Sequence, residues 1–352
     1  MIQKLTYSFK FLFSLVYCLF FTADSVAFAS NSSFQDGYFS LESPAQIYQY
    51  KYGSFDVVYN QQTAELKQTT SNSATSGVFN YEISTTATNY GGALTFPVIE
   101  NFWIGFDYLS SSLTTELKTS NSSDSTVTTT NFSETKTVMA PVVVFDLWDK
   151  LAVGVRAASA SFTQSNDLDD TDDSASYQQL TYGLIYHSPM WEVGAAMTAS
   201  VKSEAAADAN DEANVTEEGD LLVHARYGNG IYEFGGSYKI KKYEEVELSS
   251  NEGETKNANV ISVHASYLNG FFRYISQSGS YASDENKDLF NLDTTTYELG
   301  YEGALTGNIH LGLIYAVSSA SDEAAQTVST VDFDSEFEVN STAIKAEFGY
   351  RF

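Results

Sequence analysis

From Ser54 to the last residue, apolar and polar positions alternate with a period of two. Ile231 to Lys242 is a clear case. Tyr232, Phe234, Tyr238 and Ile240 fall on one face, and Glu233, Ser237, Lys239 and Lys241 on the other. Successive side chains of a strand point to opposite faces, so such a run predicts a strand with one apolar wall. The final run repeats the pattern: Ile344, Ala346, Phe348, Tyr350 and Phe352 oppose Lys345, Glu347, Gly349 and Arg351. Comparable runs cover 102–108, 151–157, 191–197, 221–227, 261–267, 297–302 and 309–317. A soluble sandwich would also alternate, burying its apolar faces between two sheets.

The connections favour a closed barrel instead. Short turns sit at Glu100-Asn101, Trp148-Asp149, Ser188-Pro189, Gly228-Asn229-Gly230, Asn269-Gly270 and Thr306-Gly307-Asn308. Between them lie polar stretches expected as long loops, near 67–77, 118–130, 165–175, 204–218, 248–257, 284–293 and 321–336. Short turns at one end and long loops at the other are the habit of bacterial transmembrane barrels. With a first strand near 54–67, this predicts an all-β, closed antiparallel transmembrane barrel of about fourteen strands, twelve to sixteen at the limits. The region 77–97 reads as one long strand or two.

Aromatic residues crowd the short turns: Phe102, Trp103, Phe145, Trp148, Tyr186, Trp191, Tyr227 and Tyr232. Rings at head-group level mark barrel interfaces. A terminal strand with Tyr350 and a last Phe352 looks like the signal by which outer-membrane barrels are recognised for insertion. The expected partners are therefore the barrel-assembly machinery, outer-membrane lipid and lipopolysaccharide.

The N-terminus carries a different pattern. Lys4 and Lys10 precede the apolar run 11–21, and Ala27-Phe28-Ala29 follows. That is a signal peptide, 1–29, with an A-x-A exit. The run is too short to span a membrane, which takes about 20 residues. The remaining parts are a short segment, 30–50, a candidate partial plug of the lumen, and the barrel, 51–352. Cys18 is the only cysteine and lies in the signal, so the exported chain has no disulfide and no thiolate chemistry.

Composition narrows the function further. Tyr and Phe number 24 each, and Pro only 4. The net charge of −27 excludes electrostatic nucleic-acid binding. The acids gather in blocks at 167–173, 204–220, 244–254, 284–288 and 332–338, as solvated segments do.

The strand–turn–strand phrases 97–105 (PVIENFWIG) and 141–154 (PVVVFDLWDKLAVG), with Ser43-Pro44-Ala45 before the first strand, resemble the long-chain fatty-acid/hydrophobic-compound transporter family of outer-membrane barrels. The resemblance implies fourteen strands, an N-terminal hatch in the lumen and passage of hydrophobic molecules. Only residues 30–42 precede Ser43 here, fewer than the family's hatch, which favours a simpler pore.

On the polar faces the predicted lumen lining is Asp107, Arg156, Glu192, His224, Arg226, Glu233, Lys239, Lys241, His264, Arg273, Glu298, Glu302, His310, Lys345, Glu347 and Arg351. Interleaved acids and bases on a narrow wall would pair across strands. They can also tune what passes. No Ser/His or Asp/His phrase, phosphate loop, HExxH or cysteine metal spacing occurs, so no catalytic residue, metal or cofactor is expected. The expected function is passage of small, hydrophobic molecules by a monomeric barrel in the bacterial outer membrane. The alternatives are a plugged structural or surface barrel, a small general pore, and, behind these, a barrel enzyme.

Overall fold

A computed structural model describes residues 43–45, 53–72, 78–121, 127–166, 169–199, 201–204, 214–229, 231–247, 252–283, 289–328 and 331–352. The expected signal peptide, and all of 30–50 except 43–45, lie outside the described residues.

The strands are β1 (Ser54–Asn72), β2 (Val78–Ile99), β3 (Phe102–Asn121), β4 (Val127–Leu147), β5 (Leu151–Asn166), β6 (Asp169–His187), β7 (Trp191–Ala199), β8 (Val201–Glu204), β9 (Asn214–Gly228), β10 (Tyr232–Glu247), β11 (Glu252–Tyr267), β12 (Gly270–Ser283), β13 (Leu289–Ala304), β14 (Ile309–Val328) and β15 (Val331–Arg351). All pair antiparallel with their neighbours in one sheet, and β9 also pairs β10, closing the circle. The seam between the two ends of the chain is complete: β1 pairs β15 from Ser54↔Arg351 to Asn72↔Phe333. Both β7 and β8 pair with β9, so together they fill one place, and the barrel has fourteen staves. The stretch 78–99 is one strand of 22 residues.

Several strands are about twice the 9–11 residues that a tilted crossing takes. They run on into stretches that the sequence pattern assigns to loops: 169–175 is in β6, 252–257 in β11 and 331–336 in β15. Once the arms of a hairpin are paired, the backbone ladder continues wherever side chains on both faces can be solvated. Charge alone does not stop it.

Exposure runs opposite to that of a soluble fold. Leu299 is 62% exposed, Leu313 58% and Phe55 45%, while Asp56 is 0%, Arg273 1% and Glu298 2% exposed. Apolar rings and branches cover the outside, and charges fill the inside. Such a surface is stable against hydrocarbon, and closing the sheet on itself removes the two open edge strands it would otherwise present. Closure also excludes the sandwich alternative.

Near the short turns the outer aromatics pair. Phe102 stacks on Phe145 at 4.5 Å, Tyr186 meets Trp191 at 5.1 Å, and Phe96 meets Phe352 edge-on at 5.7 Å.

Candidate functional site: the barrel interior

The interior has two unlike sectors. The first is charged and spans β7 to β13. One row of register partners runs Glu192↔Arg226↔Gly235↔His264↔Arg273↔Glu298, crossing six strands. The row is tied by arginine–carboxylate ion pairs and histidine–carboxylate hydrogen bonds. Glu192 accepts from His224 Nε2 at 3.0 Å and from Arg226 Nη2 at 2.9 Å. Arg226 Nη1 lies 3.7 Å from Glu233, which meets His264 Nε2 at 3.2 Å. Arg273 Nη1 lies 3.1 Å from Glu298, and its guanidinium sits 5.7 Å over the Phe271 ring.

A short phrase, Glu-x-Gly, builds this sector. Its inward-facing copies lie on β7 (Glu192, Gly194), β10 (Glu233, Gly235), β13 (Glu298, Gly300) and, beyond the sector, β15 (Glu347, Gly349). Each inward glycine leaves room for a neighbour's side chain. A Cβ on Gly194 would come within 2.7 Å of His224 Nε2, and one on Gly235 within 2.8 Å of His264 Nε2. On Gly300 it would strike the Phe271 ring, and on Gly349 the Asp56 carboxylate. The glycine thus lets a ring or carboxylate lie flat on the wall beside the inward glutamate.

One step along the strands the lining turns from charges to hydroxyls. Ser237 and Ser262 are linked at 3.2 Å and Thr296 and Ser318 at 2.7 Å; elsewhere, on β2 and β3, Thr85 and Thr115 are linked at 3.2 Å.

The second sector, on β3 to β6, carries an apolar patch bordered by the Asp107–Arg156 and Asp146–His187 pairs. Trp103, Val142, Val144, Ala152 and Ile185 are buried there together with Ala45. Gly154 and Gly183 are direct register partners. A Cβ on Gly154 would lie 2.5 Å from the Pro44 carbonyl carbon and the Ala45 nitrogen. On Gly183 it would lie 2.9 Å from the Ala45 nitrogen and 3.0 Å from Ser43 Oγ. Ser43 and Ala45 are fully buried, so this tripeptide lies inside the barrel on a bed of two glycines.

Of the residues named from sequence, Asp107, Arg156, Glu192, His224, Glu233, His264, Arg273, Glu298, Glu302 and Lys345 are buried. Arg226, Lys239, Lys241, His310, Glu347 and Arg351 are half-buried. Outside the charged row, Arg156 meets Asp107 at 3.4 Å, Lys345 meets Glu347 at 3.8 Å, and Lys239 meets Asp220 at 3.1 Å. Arg351 meets Asp56 at 2.5 Å. A small cavity there is lined by Asp56, Glu302, His310, Glu347 and Arg351.

Asp56, Asp146, His187 and Asp220 also form ion or hydrogen-bonded pairs and are not in the lining that the sequence predicts. Asp56 was legible, since it continues the Ser54-x-Asp56-x-Val58 phase of β1. His187 sits at a strand end, where alternation gives no direction; it meets Asp146 at 3.1 Å. Among the described residues no three His, Cys, Asp or Glu side chains gather as a metal site would need.

No protein-family model and no curated protein matches the chain. Solved structures do match. A Pseudomonas aeruginosa FadL homologue aligns at TM-score 0.60 over 93% of this chain and 96% of its own, with 10% identity. The Pseudomonas putida toluene transporter TodX aligns at 0.55 over 91% and 95%, with 10% identity. The monoaromatic hydrocarbon channel CymD aligns at 0.55 over 90% and 93%, with 11% identity. At such identity the likeness is one of fold. The chain has the fourteen-stranded architecture of these hydrophobic-compound channels, and the resemblance drawn from its strand–turn phrases holds at that level.

Proposed function

We propose that this chain is a monomeric outer-membrane barrel for the passage of small hydrophobic molecules, closed at rest by its own N-terminal segment. The observation that carries this reading is the apolar patch on β3 to β6, with Ser43-Pro44-Ala45 seated on Gly154 and Gly183. A barrel that only had to be filled could be charged all round. An apolar patch inside a polar lumen suits an apolar ligand that displaces an apolar segment. The fold shared with hydrophobic-compound channels supports the same reading, as do the lipid-facing exterior and the aromatic final residue, taken as the handle for the assembly machinery. On this view the interior charges, chiefly the row from Glu192 to Glu298, hold one half-wall rigid and bias what enters.

The depth of that row favours a second reading, a barrel plugged permanently for a structural or surface role. Glu192 and Glu298 are each 2% exposed. Single-channel conductance in planar bilayers, with and without a long-chain fatty acid, separates the two. Low basal current with saturable fatty-acid binding is expected. A silent barrel that binds nothing would leave the structural role, and steady current indifferent to fatty acid would mean a small general pore.

A further inference from the structure

The six short turns share a feature that turn chemistry does not require. Each has, at or beside its tip, a large apolar side chain standing in the open: Ile99 (68% exposed), Trp148 (80%), Met190 (44%), Ile231 (52%), Leu268 (57%) and Leu305 (63%). The turns are closed by other residues. Ser188 Oγ accepts from the Met190 and Trp191 amides at 3.4 and 3.2 Å. Asn229 Oδ1 accepts from the Ile231 and Tyr232 amides at 3.0 and 3.2 Å, and Thr306 Oγ1 from the Asn308 and Ile309 amides at 3.3 and 3.1 Å. Two of the apolar residues oppose the backbone they occupy. Trp148 has φ 57° and Leu268 φ 54°, a region that bulky side chains avoid and that Asn or Gly fills readily. Turns projecting into water would gain nothing from these residues.

We infer that the short-turn end of the barrel is seated in the head-group zone of the membrane leaflet, with the ring of apolar turn tips as its anchor. Two observations select a lipid surface over a protein partner. One such residue stands at each of the six short turns and Phe352 (52% exposed) at the β15–β1 seam, so the ring runs round the circumference, as an encircling bilayer demands and a partner docked on one side does not. It is also continuous with the outer wall: Tyr232 follows Ile231, Tyr267 precedes Leu268, and both rings are exposed. Apolar and aromatic residues at that depth bury their apolar parts in the boundary between head groups and acyl chains. The inference rests on the reading of this chain as a bilayer-spanning barrel.

The test uses the full chain carrying Cys18→Ser, which then has no cysteine. Single cysteines at Leu268, Leu305 and Leu313 are nitroxide-labelled in phosphatidylcholine vesicles. Leu313 is 58% exposed on the wall, four residues beyond the start of β14. Collision rates with oxygen and with a water-soluble nickel chelate give the depth of each label. Labels at Leu268 and Leu305 are expected to meet nickel several-fold less than a label free in water, and Leu313 to be reached mainly by oxygen. Full nickel access at both turns with an oxygen-rich Leu313 overturns the inference and leaves the barrel in the bilayer. Full nickel access at Leu313 as well overturns the spanning reading itself.

Discussion

Gly154 lies so close to Ala45 that a Cβ on it would stand 2.5 Å from the Ala45 backbone nitrogen. The missing side chain on β5 is therefore what admits the N-terminal segment. Gly154→Val should expel Ser43-Pro44-Ala45 while leaving the β5 ladder intact, since valine suits a strand. The expected result is a several-fold rise in basal conductance, with Gly183→Ala milder because its nearest backbone contact is 2.9 Å. Unchanged current in Gly154→Val would remove the segment from the closing role.

Arg273 and Glu298 are register partners, 1% and 2% exposed. Removing one leaves an uncompensated buried charge, so Glu298→Leu should cost ~3–5 kcal/mol. Replacing both, as Arg273→Met with Glu298→Leu, should restore most of that. Urea unfolding midpoints in lipid vesicles measure both. Equal loss in the single and double variants would mean the pair's value lies in packing, not in charge.

Gly235 beds the His264 ring against Glu233. Gly235→Ala should push the imidazole off its carboxylate and cost ~1–3 kcal/mol by overpacking. A companion change, His264→Ser, opens the space and should recover part of the loss. A shift in the unfolding midpoint, partly reversed in the double variant, is the expected signature.

Phe352 donates its amide to the Gly53 carbonyl at 2.9 Å and packs its ring over that glycine. Phe352→Ala should reduce assembly into the outer membrane several-fold, because the terminal ring is the proposed recognition handle. Refolding into detergent should change little. If cellular assembly and detergent refolding fall together, the ring acts in folding and not in recognition.

Alternation made the strands, their number and their two faces legible, because side-chain direction in a strand is local. The inward phase of Glu192, His224, Arg226 and Glu233 followed from it. Which of these meet was not legible. Glu192 stands opposite Arg226 because of the register between β7 and β9, which no single strand encodes. The extent of β6 into its acidic stretch was hidden for a related reason, since pairing with β5, not the side chains of 169–173, carries it. The seat on Gly154 and Gly183 joins residues more than a hundred positions apart in the chain. The inward Glu-x-Gly was written in four strands, and its sense appears only when the neighbour's ring or carboxylate is seen lying on the glycine.

The bond between Phe352 and Gly53 has one more consequence. The barrel is topologically a ring of hairpins cut at a single place, and its backbone could be cut elsewhere. A circular permutant, joined across 352 and 53 by a short linker and reopened in the connection at 122–126, keeps every ladder described above. It moves the terminal aromatic into the middle of the chain. The closing strand and the proposed recognition ring, both in β15, would then be carried by different parts of one molecule.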